Sequence, residues 1–172
     1  MTEKQTTISI AIALVVAVVL GRFVPHLPNM TPVLAICLLS GTRFSNKLVA
    51  IAVPILGMLI SDSAFAGVHG DMLWLYFFYA IVILASRFFQ VSLSAFRWMG
   101  LAFFASLGFF LWSNLAVFLF SGMYPFSFLG LSECVVAALP FYRNALFGDI
   151  LFSAAAYGLF SLKSVSLFRT HQ

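Results

Sequence analysis

The stretch RFSNKLVAIAVPILGMLISD, Arg43–Asp62, decides the fold. Arg43 and Lys47 stand at its start, an apolar run broken only by Pro54 and Gly57 follows, and it closes on Ser61 and Asp62. Such a run predicts a membrane-crossing helix over Leu48–Asp62, bent at Pro54 where a backbone donor is lost. Its basic end belongs in the cytoplasm, because short cytoplasmic loops retain Lys and Arg during insertion.

Working outward, the remaining gaps between apolar runs alternate in the same sense. Lys4 precedes the first run, Arg87 and Arg97 follow the fourth, and Lys163 and Arg169 follow the last. The intervening gaps hold Asp62, Asp71, Glu133 and Asp149, with Arg22 and Arg143 as the positive exceptions. Composition supports the same solvent: 63% of the 172 residues are hydrophobic and 8% are charged, against about a quarter charged in an ordinary soluble domain. The net charge of +4 comes from dispersed single residues with no basic helix, so nucleic acid is not an expected partner.

These alternations predict an all-α polytopic membrane protein, one transmembrane domain over residues 1–172 with six crossings. The expected helices cover 6–22, 33–41, 48–62, 72–86, 98–121 and 143–162, with a short helix over 132–142 ending near Pro140. The first run reads as a retained helix, because Arg22 stands where a signal cleavage site needs small residues. The second is too short to span alone and is expected to tilt or borrow from its flanks. Three prolines, Pro25, Pro28 and Pro32, make the segment after helix 1 a structured loop. Val68–Asp71 reads as a turn, Arg87–Arg97 as an interfacial segment, and Gly122–Leu131 as a loop. Both termini are placed in the cytoplasm.

Ionisable groups in hydrocarbon are costly, and those that persist usually line a cavity or pair with one another. Asn29, Thr31, Asp62, Glu133, Arg143, Asn144 and Asp149 gather toward the non-cytoplasmic side, and Asn114 lies within helix 5. A polar outer half over a bland inner half suits a ligand receptor better than a continuous pore. Arg143 and Asp149 are six residues apart and point to different sides of one helix, so Asp62 or Glu133 is the expected partner of Arg143. Ser61-Asp62 reads more plainly as a cap at the end of helix 3 or at the start of a following turn. Tyr76, Phe77, Phe78 and Tyr79 read as packing. Asp62, His69 and Asp71 match no closed zinc or calcium spacing, so no metal is expected. Cys37 and Cys134 read as buried free thiols. No nucleophile motif with an adjacent base occurs, so the chain is not expected to be an enzyme or to hold a cofactor.

Three segments carry a resemblance: Pro28–Val33, Met58–Asp62 and Ala137–Asp149. Together they resemble an uncharacterised family of small bacterial integral membrane proteins, which is similar to the substrate-capturing S components of energy-coupling-factor vitamin importers. The resemblance implies an S-component-like six-helix bundle in the bacterial inner membrane. Its ligand site would lie near the outer face and would take a small organic micronutrient. It implies as partners a membrane coupling subunit and its ATPases, docked on the small-residue stripe Ala13, Ala17 and Gly21 of helix 1. Cobalt-ligating relatives bring Cys134 or Cys37 into view as a ligand. The alternative class is a structural subunit whose buried charges only hold helices together.

Overall fold

The structure is a computed structural model and describes residues 2–24, 27–65, 72–88 and 94–162. It is all-α, with no strand among the described residues. Six helices follow in order: α1 Glu3–Phe23, α2 Val33–Arg43, α3 Lys47–Phe65, α4 Met72–Phe88, α5 Ala95–Phe120 and α6 Phe128–Leu162. Four segments are long and apolar enough to cross a membrane: Glu3–Phe23, Lys47–Ala64, Ala95–Phe120 and Phe128–Leu159. The helices Val33–Arg43 and Met72–Phe88 are apolar but shorter. This composition is compatible with a multi-pass membrane protein.

Local chemistry sets the helix starts. Thr2 accepts from the Gln5 amide while the Gln5 side chain accepts from the Thr2 amide, closing a reciprocal cap on α1. Asn46 accepts from the Leu48 and Val49 amides at the head of α3, and Ser94 accepts from the Arg97 amide at the head of α5. Ser127 does the same for Gly130 on α6. That cap moves the start of α6 to Phe128, so the expected loop over 122–131 shrinks to residues 121–127.

The separate short helix over 132–142 does not exist. It joins the expected sixth helix in one 35-residue element that passes through Pro140. A proline inside a helix forfeits one backbone bond, but in apolar surroundings the rest of the ladder is worth keeping because no water replaces it. At 1.5 Å per residue α6 is about 52 Å long, well beyond the roughly 30 Å of a bilayer's hydrocarbon core. The cap reading of Ser61-Asp62 also fails, because α3 continues to Phe65. The segment Arg87–Arg97 is helical at both ends, and its residues 89–93 lie outside the described ones, as does the turn at Val68–Asp71.

Helix α2 is the hub. Every residue from Val33 to Gly41 is buried, and it packs against all five other helices. Its eleven residues reach only about 16 Å, which suits an element enclosed by its neighbours rather than one tilted among lipids. Close approach explains its fit: a Cβ on Gly41 would collide with Ser86 Oγ and the Ile83 carbonyl of α4. Helix α1 is the opposite case. Only Leu14 and Val18 are buried along it, and Ile8, Ile12, Val16 and Leu20 form an exposed apolar stripe.

Direction alternates from helix to helix. Lys4, Arg43, Lys47, Arg87 and Arg97 gather at one end, where Arg87 donates to the Phe44 and Ser45 carbonyls at 2.7 Å each and ties α4 to the α2–α3 turn. Trp98 at the start of α5 donates to the Ser153 carbonyl of α6 at 2.9 Å. At the opposite end Trp74 and Trp112 stack at 4.4 Å, and each indole N–H donates to the other residue's carbonyl. This reciprocal clasp joins α4 to α5.

Candidate functional site

A cavity of about 630 Å³ opens between α1–α6 toward the end opposite the basic cluster. Helices α3, α4, α5 and α6 contribute residues at helical spacing, and α2 adds Val33 and Leu34. Helix α5 presents Ser106, Phe109, Phe110, Ser113, Asn114 and Val117, an i, i+3, i+4, i+7 series that is one face of a helix. Helix α6 presents Ala138, Phe141, Tyr142, Ala145 and Asp149; α4 presents Met72, Leu75 and Tyr79; α3 presents Met58 and Asp62. Arg22 closes one side from the end of α1, and the loop after it brings Asn29 and Thr31 to the rim. Asn29 holds a left-handed backbone with φ of 65°, a conformation that asparagine tolerates better than most residues. It follows Leu27, whose carbonyl accepts from the Met30 amide.

Two carboxylates lie in this space. Asp62 is 7% exposed and fully engaged. Arg22 Nη2 meets Asp62 Oδ1 at 2.6 Å, and the Tyr76 hydroxyl donates to Asp62 Oδ2 at 2.6 Å. Arg22 Nη1 also donates to the Met58 sulfur at 3.1 Å. One cluster therefore pins α1, α3 and α4 together.

Asp149 is 6% exposed, and no cation among the described residues lies within ion-pair distance of it. Its neighbours are Ser106 of α5, Cys37 of α2 and Tyr79 of α4, all near enough to interact electrostatically. Ser106 sits about 16 Å along the roughly 39 Å of α5, so Asp149 lies near the middle of the bundle's height. Ser106 also neighbours the Tyr142 hydroxyl. Neither Ser106 Oγ nor Tyr142 Oη meets a partner of hydrogen-bonding geometry, although both are buried. A buried hydroxyl without a partner costs about 1–3 kcal/mol. Two such groups lie near a carboxyl that has no cation partner among the described residues, and Ser153 Oγ, one turn along α6 from Asp149, is a third buried hydroxyl without a partner.

The rest of the lining is aliphatic and aromatic, and its rings include two stacked pairs. Tyr79 stacks on Phe109 with ring centres 5.1 Å apart, and Phe110 stacks on Tyr142 at 4.4 Å. Asn114 turns its amide nitrogen back to the Phe110 carbonyl at 2.7 Å, and its own carbonyl accepts weakly from the Cys134 thiol.

Of the residues singled out in the sequence, Asn29, Thr31, Asp62, Asn114 and Asp149 line this cavity. Glu133, Arg143 and Asn144 do not: Glu133 and Arg143 are exposed and Asn144 is half-buried. The expected pairing of Arg143 with Asp62 or Glu133 is corrected to Arg22 with Asp62. The reason is rotation: Arg143 follows Tyr142 by about 100° around α6, and it is Tyr142 that faces inward. Arg22 was visible in the sequence as a cation stranded in an acidic gap, which is a signal for a partner carboxylate. Ser106 was visible, with Ser113, as a hydroxyl in an apolar run. Tyr79, taken as packing, lines the cavity, and Tyr76 serves Asp62.

Cys37 and Cys134 are buried free thiols, and neither lines the cavity. His69 and Asp71 lie outside the described residues. On α1, Gly21 is covered from within, since a Cβ there would collide with Pro32, whereas Ala13 is exposed and Ala17 half-buried.

Residues 2–170 match the model of a family of unknown function, DUF6580. The chain belongs to this family. No curated protein and no solved structure matches it. The family match covers all six helices, so the cavity and both carboxylates lie within the family's unit.

Proposed function

We propose that this DUF6580 member is a six-span protein of the bacterial inner membrane that binds a small organic solute in its cavity. The basic end faces the cytoplasm, with both termini, and the cavity opens to the other side. This orientation follows from the retention of Lys and Arg on the cytoplasmic side during insertion. The observation that carries the reading is Asp149: a carboxyl without an ion partner among the described residues, near mid-height, close to two buried unpaired hydroxyls and facing a cavity large enough for a small molecule. Intramembrane ionisable groups of this kind mark ligand or ion sites by default. A pocket walled by aromatic rings with a few convergent polar groups is the usual form of a small-molecule site.

The protein acts as a binding subunit rather than an enzyme, in the manner of an S component that presents a micronutrient for uptake. A coupling subunit with its ATPases would dock on the exposed face of α1. Ala13 and Ala17 remain available for that contact, whereas Gly21 is already used by Pro32. Mass spectrometry of small molecules that copurify with the chain tests the reading. A defined solute retained by the wild type and lost on Asp149→Asn supports it. A chain that carries none and loses thermal stability equally on Asp62→Asn and Asp149→Asn is a structural subunit instead. Reporter fusions at the two termini check the orientation, and a terminus on the non-cytoplasmic side refutes it.

A further inference from the structure

We infer that the solute is an organic cation, a protonated nitrogen carried on a flat ring, and that Asp149 is its counter-charge. This deepens the binding reading above and rests on it. Charge points the same way. Arg22 and Asp62 neutralise each other at 2.6 Å, so Asp149 is the acidic group without a counter-ion among the described residues lining the cavity. A carboxyl in apolar surroundings keeps its proton until a positive charge reaches it, so a cation is the ligand that engages its ionised form. An anionic solute would find only Arg22, which is already committed to Asp62 and to the Met58 sulfur.

The acceptors agree with the charge. Ser106 Oγ and Tyr142 Oη are buried and unpaired, and Ser106 neighbours both Asp149 and Tyr142. An ammonium carries N–H donors and no acceptor, so one such group can serve the carboxylate and both hydroxyl oxygens. A hydroxylated neutral solute could satisfy the hydroxyls but would leave the carboxylate uncompensated.

The walls agree with the ring. Two stacked pairs, Tyr79 with Phe109 and Phe110 with Tyr142, line the cavity from α4, α5 and α6. Aromatic faces attract cations and stack with flat rings.

Isothermal titration of the full chain in detergent with three matched probes tests the inference. Tryptamine is the cation, tryptophol the neutral isostere and indole-3-propionate the anion. Tryptamine is expected to bind at least about tenfold more tightly than tryptophol, a difference of about 1.4 kcal/mol, with indole-3-propionate weakest. Asp149→Asn is expected to erase the preference for tryptamine over tryptophol. The ranking on the wild type stands by itself if the variant fails to fold. Tryptophol or indole-3-propionate binding as tightly as tryptamine overturns the cation inference and leaves the binding reading intact. Silence from all three probes, with no small molecule copurifying, overturns both.

Discussion

Asp62 and Asp149 are the same side chain at nearly the same burial, and the fold treats them in opposite ways. Around Asp62 the Arg22 guanidinium and the Tyr76 hydroxyl each supply a donor at 2.6 Å. Around Asp149 the structure supplies two hydroxyls that make no bond and no cation within reach among the described residues. A buried charge with partners is a fastener, because removing any member strands the others. One without partners holds nothing together and represents stability given up for some other purpose. The contrast also runs along the bundle axis. The satisfied cluster sits near the cavity's mouth, at the ends of α1, α3 and α4, and the unsatisfied one lies near mid-height.

This comparison can be broken by mutation. The largest effect belongs to Asp62→Ala, which leaves the half-buried Arg22 without its counter-charge and should cost about 3 kcal/mol. Thermal unfolding in detergent reads that loss. The double change Arg22→Met with Asp62→Leu should recover most of it, because an apolar pair of similar volume replaces the ions. No recovery would mean that the cluster acts by something other than charge. Next comes Tyr76→Phe, which removes a bond to a charged acceptor and should cost about 2 kcal/mol. Trp112→Phe gives the neutral reference. It removes one indole donor from the α4–α5 clasp, and about 1 kcal/mol is expected for an ordinary hydrogen bond.

The smallest effect sharpens the other half. Asp149→Asn should change stability by less than about 1 kcal/mol, or raise it, because it removes a charge that nothing in the fold repays. If the same unfolding assay shows Asp149→Asn costing as much as Asp62→Ala, the two carboxylates are equivalent fasteners and the contrast is void.

Much of the cavity's polar lining was legible in the sequence, because hydropathy and residue type alone mark side chains that are expensive in an apolar segment. Asn29, Thr31, Asp62, Asn114 and Asp149 all came from that reading and all line the cavity. The same reading misassigned Arg143. It stands in the acidic gap beside Glu133 as a natural partner, yet one residue of rotation turns it outward and brings Tyr142 in. Arg22 shows the complementary failure. Its position near the end of the first run carried charge information, but its distance from Asp62 depends on how α1 lies against α3. That approach is held by contacts such as Gly57 of α3 against Val18 and the Val15 carbonyl of α1, which no local pattern encodes.

Apolar character, helical class and the sorting of charge between the two ends were determined by the sequence itself. These properties sum over neighbouring residues, and a run of apolar side chains reads the same wherever the helix packs. Helix phase, the continuity of α6 through Pro140, the central place of α2 and the choice of which carboxylate receives a cation were decided only by the tertiary structure. Each depends on close contact between residues far apart in the chain, as at Gly41 against Ser86, where a shift of a few ångströms or a rotation of one residue exchanges one partner for another.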